Sequence, residues 1–238
     1  MTAEGGQIML GQRLRDAAEL TRWLQVFLSC WIGVALVGLV LHYAVLRFFE
    51  NVQQGVYLSR SAAIHDALLL DGYNRFLSVG RLTFLVITGI LFLKWVHRAN
   101  ENARRLGAVD LEFTPGQAVG SYFIPIANLA LPYQAMKEIW NASVNPTDWQ
   151  STKGHPIVRS WWGLFLGSNV VSWVLLFNFF QPSANVAASI LLTQLRLISD
   201  ASTIAAGTGA LLLVTRLRAI QIARSSSDEP KPQRLSPS

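Results

Sequence analysis

Four apolar stretches set the framework of the chain. From Trp23 to Leu46 there is no charged residue, and the run is rich in Leu, Val, Phe and Ile. At 1.5 Å per residue it is long enough to cross about 30 Å of hydrocarbon as a helix. Phe76 to Val96 predicts a second span if Arg81 reaches outward and Lys94 inward along their flexible stems. Trp161 to Phe180 predicts a third, with aromatic residues at both ends as suits the two interfaces and Asn169 near its middle. Val186 to Val214 is interrupted by Arg196 and Asp200. It predicts an outer amphipathic helix to about Leu195 and a fourth span from Leu197 to about Arg216. Ala201, Ala205 and Gly209 form a ladder of small residues on that span, and Ser29 with Gly33 a small notch on the first.

The intervening segments are more varied. Met1 to Arg22 places Leu10, Leu14, Ala17 and Leu24 at helical spacing opposite charged residues, the pattern of a helix lying at the membrane interface. Glu50 to Arg75 predicts a short outer helix broken at Asp71-Gly72. Past the second span, Glu101 and Arg105 stand at i,i+4 and Gly107 is placed to end the helix. Thr114-Pro115 reads as an N-cap followed by proline at the first helical position, opening a short helix stopped at Ile124-Pro125. Phe113 to Met136 contains no Lys, Arg, Asp or Glu, yet carries Pro115, Pro125 and Pro132. Prolines inside such a run disfavour an unbroken span, so it predicts a re-entrant or interfacial helical segment. Asn128, between the prolines, is the nearest side chain to satisfy backbone groups they free. After Pro132 a polar stripe of Gln134, Lys137, Glu138 and Asn141 suggests a short amphipathic helix, and Gln181-Pro182-Ser183 ends the third span.

Composition agrees with this pattern: 51% of the 238 residues are apolar and 14% charged, against roughly 25% charged in a soluble domain. The fold class is therefore all-α, an integral membrane protein with four transmembrane helices. Residues 1–22 form the interfacial helix, 23–223 the four-span domain with a cytoplasmic segment 97–156, and 224–238 a disordered tail. Lys and Arg are concentrated at the N-terminus, between Lys94 and Arg159, and from Arg216 onward. The positive-inside bias then puts both termini in the cytoplasm. The formal charge of +6 is spread between apolar runs and forms no dense patch, so no nucleic-acid partner is expected. The partners expected are the lipid bilayer and a membrane or cytoplasmic protein.

Candidate chemistry is sparse. Cys30 is the only cysteine and the four histidines are scattered, so no disulfide framework, metal site or cofactor is expected. No nucleophile motif, metalloprotease motif or phosphate loop occurs, and no catalytic residue is assigned. The intramembrane polar residues are Arg81, Asn169, Arg196 and Asp200. Arg196 and Asp200 are expected to pair at i,i+4; Arg81 either reaches the headgroups or turns inward to Asp71 or Asp200. Asn169 either binds a ligand or bridges two helices. His97 and Glu101 at i,i+4 suggest an exposed ion pair.

Three runs, WVHRANENARRLG from Trp95, FTPGQAVGSYFIPIANL from Phe113 and PYQAMKEIW from Pro132, resemble the bacterial membrane family called domain of unknown function 4328. The resemblance implies a helical membrane domain and no established activity. It also implies a place in the bacterial inner membrane and marks Asn100, Asn102, Arg104, Pro125, Asn128, Pro132, Tyr133 and Glu138 as motif positions; His97, Asn100, Glu101, Arg104, Asn128, Tyr133 and Glu138 make a candidate polar cluster. The leading functional reading is a structural, regulatory or partner-binding membrane component. Small-solute or ion transport and a membrane-embedded enzyme are the alternatives.

Overall fold

The computed structural model describes residues 3–57, 59–179 and 185–227, with side chains in 18–57, 59–177 and 185–226. Among these residues every regular element is helical: α1 (Ala3–Gln53), α2 (Arg60–Arg105), α3 (Pro115–Gly120), a 3-10 turn (Ala127–Leu129), α4 (Leu131–Val144), α5 (Pro156–Phe179) and α6 (Val186–Ser227). Four of them, α1, α2, α5 and α6, are long and apolar enough to span a membrane. With 46 residues, α2 is about 69 Å long at 1.5 Å per residue, more than twice the hydrocarbon thickness.

Three expected interruptions are absent. The N-terminal helix is continuous with the first span, α2 runs through Asp71-Gly72, and α6 runs through Arg196. None of the three places holds a proline, and one glycine costs a helix only about 1 kcal/mol. Asp71 moreover pairs at 2.8 Å with Arg75 one turn on, which supports the helix it was expected to break. The helix of α6 also takes in Arg224 to Ser227, which had been assigned to the tail. The remainder of that tail and the Gln181-Pro182-Ser183 stop lie outside the described residues.

The chain divides into two compact units. The first comprises Met1–Leu93 with Arg159–Leu212, the second Lys94–Val158 with Leu213–Ser238. In the first, the buried positions of α1 are Thr21, Leu24, Leu28, Ala35, Gly38, His42 and Val45. Their spacing is the three-and-four alternation that keeps one seam of a helix facing its neighbours. The facing side of α6 carries Thr193, Asp200, Gly207 and Ala210. A Cβ on Gly207 would come 3.0 Å from Ile32, so the absence of a side chain sets the approach of α1 and α6 there. Of the expected small-residue ladder, Ala201 is exposed, while Gly209 lies against α5, where a Cβ would come 3.5 Å from Trp161. Gly33 faces open space, so the notch on α1 is at Gly38 instead.

The second unit is organised by turns. Gly107, at φ +92°, ends α2. Ala108 N–H donates to Ala103 O and Gly107 N–H to Arg104 O, the paired bonds of a Schellman cap. Thr114 caps α3 through a reciprocal box with Gln117, with Pro115 inside the first turn. That helix stops at Gly120, earlier than expected, and turns carry the chain through Pro125 to Ile126. Ile126 has φ +66°, a strained value for a β-branched residue, and is 84% exposed. Helix α4 buries Met136, Ile139 and Trp140, but also Glu138 and Asn141. Only Gln134 and Lys137 of the anticipated polar stripe are exposed.

Candidate functional site

In the first unit the seam of α1 and the seam of α6 each carry one ionisable residue, and the two meet. Nδ1 of His42 lies 2.7 Å from Oδ2 of Asp200, both side chains being buried. Nη2 of Arg81, from α2, donates to the other carboxylate oxygen. Asp200 is 1% exposed, so its charge is compensated entirely by partners from two other helices. Gly38 makes room for this: a Cβ there would collide with Arg81 Nη2. The anticipated pair of Arg196 with Asp200 does not form. A helix places i and i+4 side by side, but the Asp200 carboxylate turns into the bundle, where His42 and Arg81 take both oxygens. Arg196, partly buried, feels the charges of Arg81 and Asp200 but makes no ion pair with a described residue.

Beside this cluster lies a cavity of about 400 Å³. Arg81 and Asn169 are on its wall, with Thr88, Ser199 and aromatic residues from three helices, among them Trp31, Phe92 and Phe165. Asn169 does not bridge helices; its Nδ2 donates to Phe165 O in its own helix at 2.8 Å. Phe92, Trp161, Trp162 and Phe165 form a chain of ring contacts at centroid distances from 5.1 to 6.2 Å.

The second unit uses its polar motif residues differently. Asn100, fully buried, donates from Nδ2 to Phe113 O at 3.0 Å and accepts from Arg104 Nε at 3.1 Å. Arg104 Nη2 also donates to Phe113 O, at 2.9 Å. Glu138 accepts from the backbone N–H of Glu112 at 2.8 Å and of Phe113 at 3.1 Å. One short loop is therefore held by both its carbonyl and its amides. Burial pushes the Glu138 carboxyl above the usual carboxylate range, opposed by those two amides and by Arg104. A second knot joins α2, α4 and α6. Gln221 donates from Nε2 to Ala99 O and Ser143 Oγ and accepts from Asn102 Nδ2, at 2.9 to 3.1 Å. Trp140 stacks on His155 at 4.9 Å beside a further cavity of about 420 Å³ bordered by Lys153 and Arg216.

The remaining candidates stand apart. His97 and Glu101 approach at 3.9 Å on an exposed face, where Glu101 also meets Arg98 and Arg105. The Asn128 side chain makes no hydrogen bond with a described residue, and its backbone N–H closes a turn onto Ile124 O. It does not serve as the partner anticipated for the proline-freed groups. Tyr133, partly buried, joins neither knot. His42 and Gln221 are the network positions that residue type alone did not single out. Their seam spacing relative to Leu28, Ala35 and Leu217 was the available signal. Among the described residues, no three His, Cys, Asp or Glu side chains converge where a metal ion could be held.

The chain matches the family described as Domain of unknown function (DUF4328) over residues 59–219, and it belongs to that family. No curated protein and no solved structure matches it.

Proposed function

We propose that the protein is a structural or regulatory component of the bacterial cytoplasmic membrane that acts by binding and not by bond-making chemistry. In this reading both termini and the Lys94–Arg159 segment face the cytoplasm. The observation that carries it is the use made of the family motif's polar groups. Asn100, Arg104 and Glu138 all bond the chain's own loop at Glu112–Phe113. None is left beside a nucleophile as a base would be. Buried polar networks of this kind rigidify a platform. The matching experiment compares thermal midpoints in detergent with complementation of a deletion strain for Asn100→Ala and Glu138→Ala. Both should lose stability and complementation together. A variant with the wild-type midpoint and no complementation would mean that the residue acts in function directly. Orientation is tested on a Cys30→Ser background: outside thiol reagents should label a cysteine at Ser59 and miss those at Asn102 and Ser226.

A second reading, passage of a small solute, is favoured by one observation, the cavity among the membrane-length helices with Arg81 and Asn169 on its wall. Flux into proteoliposomes that disappears when the cavity is filled by Ala206→Phe would support it over the first.

A further inference from the structure

The surroundings of Asp200 do not balance in charge. Arg81 and Arg196 are two fixed cations, since a guanidinium does not deprotonate in a protein. Asp200 is the one carboxylate that meets either of them among the described residues. His42, the other group against Asp200, can only add positive charge. An unmatched cation among apolar helices is costly and is normally paired, coordinated or functional.

Arg81 also has unused bonding capacity. Its Nη2 donates to Asp200, while the rest of its fork, with Nε and Nη1, donates to no described residue. Arg81 lies on the wall of the 400 Å³ cavity, as does Thr88 about two helical turns farther along α2. The Thr88 hydroxyl has no hydrogen-bond partner, although the residue is only 8% exposed. Most of the remaining wall is apolar, including Leu28, Trp31, Phe92 and Phe165. The volume falls in the range of small-molecule sites, which combine an apolar lining with a few placed polar groups.

We propose that this cavity binds an amphiphile with an oxyanion head, the head meeting the free side of the Arg81 guanidinium and the apolar body lying among the aromatic rings. A guanidinium fork matches carboxylate and phosphate alike. A free hydrophobic acid and the phosphate of an anionic phospholipid therefore share the required chemistry. The inference goes beyond the platform reading of the second unit and stands whether the occupant stays or crosses.

The test uses the full chain in phosphatidylcholine nanodiscs, with decanoate and decanol as probes of equal chain length that differ in charge. Calorimetric titration should show saturable decanoate binding at least about tenfold tighter than decanol, as one charge-assisted contact provides. Arg81→Gln would strand Asp200 and risks unfolding, so three other substitutions carry the test. Thr88→Val removes an unpartnered buried hydroxyl. It should leave the thermal midpoint unchanged or raise it and leave the preference for decanoate over decanol intact. Arg196→Gln removes the excess charge and should weaken decanoate about tenfold without changing decanol. Ala206→Phe, which fills the cavity, should abolish decanoate binding. Adding phosphatidylglycerol separates the two sources: competition with decanoate identifies the lipid as occupant, and absence of competition identifies a free acid. Equal binding of decanoate and decanol, or decanoate binding indifferent to Arg196→Gln and Ala206→Phe in folded protein, would overturn the proposal.

Discussion

The two units treat buried polar residues in opposite ways. In the second, each charged or amide group of the loop clamp has a partner of matching type, most of them backbone atoms: Glu138 meets two N–H groups, and Asn100 and Arg104 converge on one carbonyl. In the first, one carboxylate serves two partners directly while a second guanidinium, Arg196, stands unmatched nearby. A network closed on its own backbone specifies a fold. One with surplus charge and an open wall retains capacity to bind.

The sharpest way to break the comparison is Asp200→Ala, which strands Arg81 and leaves His42 without its acceptor. Removing one partner of a buried ion pair costs about 3–5 kcal/mol. Folded yield in detergent should fall steeply and recover in part when Arg81→Met and His42→Leu are added. A triple variant no better than the single would mean that the cluster contributes little as a unit.

In the second unit, Glu138→Ala leaves the Glu112 and Phe113 amides unpaired and should cost about 2–4 kcal/mol. The same residue has a pH signature. Its folded pKa is raised above the unfolded value, chiefly by burial. The folded state therefore holds the proton more tightly, and the linked stability is fully present below the unfolded pKa. It is lost as pH rises through the raised folded pKa. Thermal midpoints measured from acid to neutral pH should show this decline in the wild type and not in Glu138→Ala. An identical slope in both would assign it to another group.

Smaller again is Gln221→Leu, which breaks the bonds to Asn102, Ala99 and Ser143. About 1–2 kcal/mol is expected, detectable as faster exchange of the Ala99 to Asn102 region. Asn128→Leu should change stability by less than about 0.5 kcal/mol, because its side chain bonds no described residue. A loss comparable to that of Gln221→Leu would show that Asn128 has a partner in the membrane.

The sequence by itself determined the helical class, four membrane-length helices, the Gly107 stop and the Thr114-Pro115 start. These follow from composition, apolar run length and local backbone chemistry, which act over a few residues and leave a mark at each. It also placed His97 with Glu101 correctly, since i,i+4 neighbours on one helix need no knowledge of other elements. Helix continuity at Asp71-Gly72 and Arg196 was not legible, because the cost of one glycine or one charge is small beside the cooperativity of a long helix. Only the tertiary structure decided which acid each cation meets. Asp200 is four residues from Arg196 but bonds His42 and Arg81, 158 and 119 residues away in the chain. It likewise decided that Glu138 and Asn141, a solvent face by helical spacing, turn inward. A polar stripe is buried when another segment's backbone supplies its partners. Those partners, at Glu112, Phe113 and Thr152, are main-chain atoms, which carry no residue-type signal.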